Sequence, residues 1–255
     1  MQREEFVQQL WLDYIHRHPD VGALRLWPTD APAEYLTLLT LNHGPFAARE
    51  LTPSLGRLGY RPMQHYAMAD RGLLVSLLAP VDDGAWLVLA ELQLGTLSRA
   101  PRECLTDLVE RTHPRDGRGQ DLLCRGRPWP MPDWHTYRRL HDAHPLAGWL
   151  AAMGPSMHHA GYDCERLDSD LATLDTAMEQ AGLYGSADRH HGILPISPLL
   201  EYRFYPTSSR RLAFADGDEH RIDLGGLALV QKCLSNDHER AVELLLPHHT
   251  RCEIG

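Results

Sequence analysis

The chain carries the same order of secondary structure twice, and this repeat constrains the fold more than any other feature. In the first half, an apolar run at 35–41 is followed closely by His43. A segment with helical spacing follows at 51–60, and alternating or continuous apolar runs predict two strands at 72–80 and 85–95.

The second half repeats that order. The run SMHHAGYDC at 156–164 predicts a strand that contains His159, and 167–185 predicts a helix with an aspartate-rich start. Further strands are expected near 199–206, 210–217 and 224–233. Two such halves predict an α+β fold, in which two similar modules face each other around a shared central cavity with flanking helices.

The whole chain is expected to fold as a single domain, 1–255. Its predicted parts are an N-terminal helical segment (1–34), module one (35–100), a helical linker (101–152), module two (153–235) and a C-terminal tail (236–255).

Two histidines occupy similar places in the repeat. His43 and His159 lie 116 residues apart, each on the strand that opens its module. Because both opening strands should line the shared cavity, we expect the two imidazole rings to converge on one metal ion, whose identity the histidines alone leave open. The doublets His190-His191 and His248-His249 are expected in surface loops.

Glu91 is the predicted third ligand, since a carboxylate commonly completes a site with two histidines. It lies within the apolar run AWLVLAELQL. An ionised side chain in such a strand needs a cation or a hydrogen-bonding partner. The alternative to a metal is an ion pair with one of the chain's many arginines.

Charge and composition exclude several classes of protein. The formal net charge of −9 and the scattered basic residues argue against a nucleic-acid partner. No apolar run is long enough for a membrane span, and no signal peptide is visible. Five cysteines without CxxC spacing are typical of reduced thiols, so we expect a cytoplasmic protein.

Several segments resemble the 2-oxoadipate dioxygenase/decarboxylase family, which has the vicinal-oxygen-chelate fold. The resemblance runs almost from end to end. It is carried by FVQQLWLDYIHRHPDVGAL, NHGPF, LGYRPMQHYAM, WLVLAELQLGTLS, PWPMPDWHTYRRL, AAMGPSMHHA and FADGDEHRIDLGGLALVQK. It implies two βαβββ modules that form an incomplete barrel around a central cavity.

The resemblance also implies a non-haem Fe(II) enzyme, or one with another divalent metal, that uses dioxygen on a small carboxylate such as a 2-oxo acid. Two of the family's metal ligands carry over to His43 and His159. The third, a glutamate on the last strand, aligns with Ala228. We therefore expect a rearranged site in which Glu91 replaces that carboxylate.

A second departure concerns the arginine that grips the substrate carboxylate in the family. Its place, four residues after the first histidine, is Ala47 here. Arg49 is the nearest arginine, and it would point to the same side as Ala47 if the segment were extended. Arg49 is therefore the expected substrate-binding and catalytic residue.

Three functions remain open from the sequence. The first is an oxygenase with the rearranged site formed by His43, His159 and Glu91. The second is a metal-dependent isomerase or lyase of the glyoxalase type, in which the metal acts as a Lewis acid. The third is a non-catalytic binding protein, because a fold alone does not establish activity.

Overall fold

One curled sheet of eight strands organises the structure. The computed structural model describes residues 1–28, 30–119, 121–185, 193–233 and 240–245. The strand order is β2-β3-β4-β1-β5-β10-β7-β6, and β8 and β9 form a separate hairpin. The strands are β1 (Tyr35–Leu41), β2 (Tyr60–Met68), β3 (Leu73–Pro80), β4 (Trp86–Leu92), β5 (Ser156–Asp163), β6 (Leu194–Ser197), β7 (Leu200–Pro206), β8 (Arg210–Ala213), β9 (Glu219–Ile222) and β10 (Gly226–Lys232).

Eight α-helices belong to the described part of the chain. They are α1 (Arg3–Arg17), α2 (Pro19–Ala23), α3 (Ala48–Arg57), α4 (Arg99–Glu110), α5 (Trp134–Ala143), α6 (Pro145–Met153), α7 (Leu171–Gln180) and α8 (Ala241–Leu245). Asp133 and Asp170 start α5 and α7, because each carboxylate accepts a hydrogen bond from a backbone N–H of the first turn.

The two opening strands meet at the centre of the sheet. β1 pairs antiparallel with β5, and each also pairs in parallel with the last strand of its own module, β4 or β10. Helix α3 connects β1 to β2, and α7 connects β5 to β6. The predicted α+β fold of two βαβββ modules around an incomplete barrel is therefore confirmed, with β8 and β9 as an addition to module two.

Alternation along the strands divides the sheet into two apolar faces. Tyr35, Leu39 and Val88 belong to one buried cluster, which the linker helices α4, α5 and α6 cover. Leu36 and Leu87 belong to the other cluster, which α1, α3 and α7 cover. We call these the inner and outer faces. Full burial of a leucine contributes about 2–3 kcal/mol, so the two clusters fix which way each strand faces.

Segments 60–68 and 210–222 differ from the expected elements. Residues 60–68 form an edge strand, β2, where no strand was predicted, because most of its side chains are exposed and show no apolar alternation. Residues 210–222 turn away from the main sheet as a hairpin. The doublets His190-His191 and His248-His249 lie outside the described residues, and the proposed domain boundaries stay a prediction.

No helix in the described part of the chain is both long and apolar enough to cross a membrane.

Candidate functional site

A β-bulge at the junction of the two modules places two histidines on one side of the sheet. Thr37 on β1 pairs with His159 on β5, but the next residue, Leu38, pairs with Met157. His158 is therefore the extra residue of the bulge, without a partner on β1. A bulge interrupts alternation, so both rings face inward; bulges of this kind are frequent beside functional sites.

The two imidazole rings form a buried chain of hydrogen bonds with Thr37. Nδ1 of His158 lies 2.9 Å from Nδ1 of His159, and Nε2 of His159 lies 3.0 Å from the hydroxyl oxygen of Thr37. Thr37 and His159 are fully buried, whereas 9% of His158 is exposed. This series of hydrogen bonds thus begins at the buried Thr37 and ends at His158.

Gly225 permits the backbone to approach the bulge. Its φ of +139° lies in the region that favours glycine, and a Cβ there would be 2.1 Å from the carbonyl oxygen of His158. The residue after it, Gly226, begins β10 and pairs with His159. Glycine at position 225 is therefore part of the construction that fixes His158.

His158 lines a cavity of about 910 Å³ between the linker helices and module two. Its walls combine aromatic rings, both signs of charge and hydroxyl groups. They include Trp134, Tyr137, Trp149 and Phe204, the charged residues Arg138, Asp142, Arg221 and Asp223, and the hydroxyl residues Thr207, Ser208 and Ser209. A cavity of this size with a few polar groups is typical of a site for a small molecule.

Two aromatic residues hold the His158 ring between them. Its centroid lies 5.5 Å from the Trp149 ring and 6.3 Å from the nearly parallel Phe204 ring. The indole N–H of Trp149 donates to the carbonyl of Leu224 at 2.8 Å, which fixes the indole. Contacts within the protein therefore set the orientation of the His158 ring, without any contribution from a ligand.

Burial keeps His158 in its neutral form. Burial lowers the pKa of His158 well below its ordinary value of 6.5, and neighbouring His159, His18 and Arg17 lower it further. A neutral imidazole has one N–H donor and one acceptor nitrogen. His158 can therefore hydrogen-bond to a ligand without carrying a charge.

A further buried histidine supports the cavity wall. Nδ1 of His18 lies 2.7 Å from the hydroxyl oxygen of Thr207, which lines the cavity and also donates to the carbonyl of Gly225 at 3.3 Å. Burial, followed by the charge of Arg17, lowers the pKa of His18 to about 3. His18 was not among the site residues predicted from the sequence, where it lies within the N-terminal helical segment 1–34.

Arg221 brings a cation to the rim of the cavity. Its guanidinium donates to the carbonyl of Ser209 at 2.8 Å, and it has no ion-pair partner among the described residues. The guanidinium fork matches a carboxylate in a bidentate geometry. Arg221 is therefore better placed than Arg49 to bind a carboxylate beside His158.

The structure does not bring His43 to His159. Thr37 of β1 is the residue that pairs with His159. The extended strand separates the Cα atoms of Thr37 and Leu41 by about 13 Å, and His43 lies beyond Leu41. The His43 side chain is 35% exposed, with Nε2 at 3.8 Å from a Glu110 carboxylate oxygen. The expected convergence of the two rings is thus corrected.

The two modules align by their helices, with an offset that does not pair His43 with His159. Helices α3 and α7 begin at residues 48 and 171, which are 123 residues apart. By that offset His159 corresponds to residue 36 within β1, rather than to His43. The expectation matched histidine to histidine across the repeat, whereas the fold matches helix to helix.

Glu91 and Arg49 also lie away from the buried histidines. Strand alternation places Glu91 on the outer face with Leu87, whereas Thr37 is on the inner face. The Glu91 carboxylate accepts hydrogen bonds of 2.6 Å from the Ala48 N–H and from the Gln93 amide. In the described part of the chain these two groups, and not an arginine, are its partners. Arg49 lies in the first turn of α3, not in an extended segment, and its 81% exposed side chain pairs with Glu50.

The donor set does not fit an iron centre. Of the three predicted ligands only His159 lies at the inner face near the bulge, and Ala228, in register with Gly161 on β5, supplies no carboxylate. Within the described ranges no group of three histidine, cysteine, aspartate or glutamate side chains could hold a metal ion. His158 is adjacent to His159 in the sequence, and strict strand alternation would place it on the opposite face; the bulge brings it to the same face.

Comparison with solved structures identifies the fold. The chain superposes on a protein from Shewanella frigidimarina NCIMB 400 provisionally designated a hydrolase (TM-score 0.84, 19% identity, 93% of this chain and 95% of that one). It superposes on hydroxyglutarate synthase from Oryza sativa in complex with 2-oxoadipate (0.79, 16%, 98% and 85%). A third match is a provisional glyoxalase-superfamily protein from Ralstonia eutropha JMP134 (0.71, 18%, 90% and 82%).

These similarities show a shared fold at low sequence identity. No protein-family profile matches the chain, and no curated protein is significantly similar in sequence. The chain thus has the architecture of glyoxalase-type proteins and of hydroxyglutarate synthase.

Proposed function

We propose that the chain is an enzyme that binds a small 2-oxo acid in the 910 Å³ cavity, with His158 as the catalytic residue at the substrate carbonyl. The observation that carries the proposal is the series of hydrogen bonds from Thr37 through His159 to His158, because it connects the buried centre of the fold to this cavity. A hydrogen bond to His159 and packing against Trp149 and Phe204 hold the His158 ring in place. Precise placement of a catalytic group accounts for much of catalysis, so this ring is suited to act on a substrate atom.

The surrounding groups support a carboxylate with an adjacent carbonyl. Arg221 would hold the carboxylate, and the apolar rings of Trp149 and Phe204 would enclose the carbon chain. The structure of hydroxyglutarate synthase, which has the same fold, contains 2-oxoadipate. This likeness supports the substrate class but does not determine the reaction.

The proposed reaction class is proton abstraction beside the carbonyl, as in isomerases and lyases. The C3–H bond breaks, its electron pair forms a C2–C3 double bond, and negative charge develops on the carbonyl oxygen. The proton passes to a carboxylate of the cavity, for which Asp142 and Asp223 are available. His158 stabilises the oxygen by hydrogen bonding, a contribution that grows as the charge develops.

Exchange of the C3 protons of 2-oxoadipate in D₂O tests this reaction. Proton NMR should show loss of the C3 signal with the wild-type protein, and His158→Phe should slow it by about a hundredfold or more, as for loss of one oxyanion donor. His135→Phe, on an exposed part of α5, is the matched control and should exchange at the wild-type rate. Equal rates for all three proteins, at the level of buffer alone, would refute the reaction.

Binding separates a catalyst from a binding protein. Trp134 and Trp149 line the cavity, so tryptophan fluorescence should report binding of 2-oxo acids. Arg221→Gln should weaken binding by about tenfold, or 1.4 kcal/mol, whereas Arg211→Gln on the same hairpin should not. Saturable binding without exchange would favour the non-catalytic alternative.

An Fe(II)-dependent oxygenase is the second candidate. It is supported by the fold shared with hydroxyglutarate synthase over 98% of this chain, and it is opposed by the separation of His43, His159 and Glu91. Dioxygen consumption with added Fe(II) and 2-oxoadipate would favour it over proton transfer. We also propose that the chain belongs to the 2-oxoadipate dioxygenase/decarboxylase family and that it is located in the cytoplasm.

A further inference from the structure

We infer that Thr37 sets the direction of the hydrogen bonds in the buried chain, so that His158 presents an N–H donor to the cavity and meets an acceptor oxygen of the ligand. Thr37 and His159 are then positioning residues. The inference rests on the proposed function only for the identity of the ligand.

The Thr37 hydroxyl lies on a fully buried residue. Among the described residues, this hydroxyl makes a single hydrogen bond, to Nε2 of His159 at 3.0 Å. If the hydroxyl accepted a proton from His159, its own proton would be buried without an acceptor, at a cost of about 1–3 kcal/mol. Thr37 therefore donates, and Nε2 of His159 accepts.

The bond from Thr37 fixes the tautomer of His159. A neutral histidine carries one proton, so His159 with an unprotonated Nε2 is protonated at Nδ1. That N–H points at Nδ1 of His158, 2.9 Å away. Two nitrogens at this distance need one donor and one acceptor, so Nδ1 of His158 accepts.

The tautomer of His158 follows from that of His159. With Nδ1 unprotonated, neutral His158 carries its proton on Nε2, the nitrogen that is not engaged by His159, and His158 lines the cavity. No described residue hydrogen-bonds to this nitrogen. The lowered pKa of His158 supports the neutral form. The cavity therefore receives an uncharged N–H donor.

A donor of fixed direction selects the chemistry of the ligand. A carbonyl, carboxylate or alkoxide oxygen satisfies it, whereas an ammonium group would face N–H against N–H. A buried donor that finds no acceptor destabilises the complex. The site should thus prefer a 2-oxo acid over the 2-amino acid of the same carbon skeleton.

The test is the tautomer of His158, read from ¹⁵N chemical shifts and N–H correlations of the imidazole rings in the ligand-free protein. The wild-type protein should show His158 protonated at Nε2 and His159 protonated at Nδ1, and Thr37→Ser should keep both. Thr37→Val removes the donor with little change in size, so the single tautomer of His158 should be lost.

Protonation of wild-type His158 at Nδ1 would overturn the inference, as would an unchanged tautomer in Thr37→Val. The wild-type spectrum alone decides the first point, even if a variant does not fold. Because these spectra need no substrate, failure of the exchange reaction would leave the tautomer result intact. Fluorescence titration adds the ligand: 2-oxoadipate should bind at least about tenfold more tightly than 2-aminoadipate, and equal affinity would contradict the selection.

Discussion

The carboxylate of Glu91 on β4 accepts a hydrogen bond of 2.6 Å from the backbone N–H of Ala48, the first residue of α3. Ala47 precedes the helix and has no side chain that could cap it. Glu91 therefore supplies from a neighbouring strand the acceptor that a serine or aspartate would otherwise provide, and its negative charge suits the positive end of the helix dipole.

Replacement of this cap should reduce stability rather than function. Glu91→Ala should lower the free energy of unfolding by about 1–2 kcal/mol in urea denaturation, because the Ala48 N–H loses its acceptor. The control Glu110→Ala, at an exposed position, should change it by less than about 0.5 kcal/mol. Unchanged stability together with a loss of bound iron would instead support Glu91 as a metal ligand.

Gly225 should tolerate no side chain. Gly225→Ala places a Cβ against the His158 carbonyl at an unfavourable φ, so we expect a loss of about 3 kcal/mol or more in the free energy of unfolding. Gly217→Ala also has a positive φ, of 87°, but nothing lies within 4 Å of its Cβ. Similar losses for both variants would show that backbone strain alone, and not the contact with His158, requires glycine at position 225.

His159 should matter for stability as well as for the cavity. His159→Phe fills the space but leaves the Thr37 hydroxyl and Nδ1 of His158 without their partner. Two unpaired buried groups should lower the free energy of unfolding by about 2–4 kcal/mol. His135→Phe on the exposed side of α5 should have little effect, and an equal loss in this control would remove the evidence for the buried chain.

His18 predicts a loss of stability in acid. Its pKa is lowered to about 3 in the folded protein, below the ordinary value of 6.5, so the unfolded chain binds the proton more readily. This contribution is fully present above pH 6.5 and is lost as the pH falls towards 3, at about 1.4 kcal/mol per pH unit. His18→Gln should remove that part of the slope between pH 6 and 4.5 in urea denaturation. His16→Gln, at an exposed neighbour, should keep it.

The repeated order of elements could be predicted from the sequence because apolar runs such as 35–41 and 85–95 show the periodicity of buried strands. The site could be predicted only in part. His159 was singled out in the sequence and lies at the candidate site, but its neighbour His158 required knowledge of a bulge, which depends on the register between β1 and β5 and leaves no local pattern.

Arg221 and His18 were missed for a similar reason. Arg221 lies on the β8–β9 hairpin, which packs against Trp134 of α5, and His18 reaches Thr207 from a distance of 189 residues. Such contacts are set by tertiary packing. Glu91 was recognised as a buried carboxylate that needs a partner, but the sequence could not show that this partner is the first turn of α3.

A crystal structure of the protein with 2-oxoadipate tests the central claim most directly. The ligand should occupy the 910 Å³ cavity, with its carbonyl oxygen within about 3 Å of Nε2 of His158 and a carboxylate against Arg221. A ligand bound instead at the outer face beside Arg49 and Glu91, or coordinated to a metal held by His43, would contradict it.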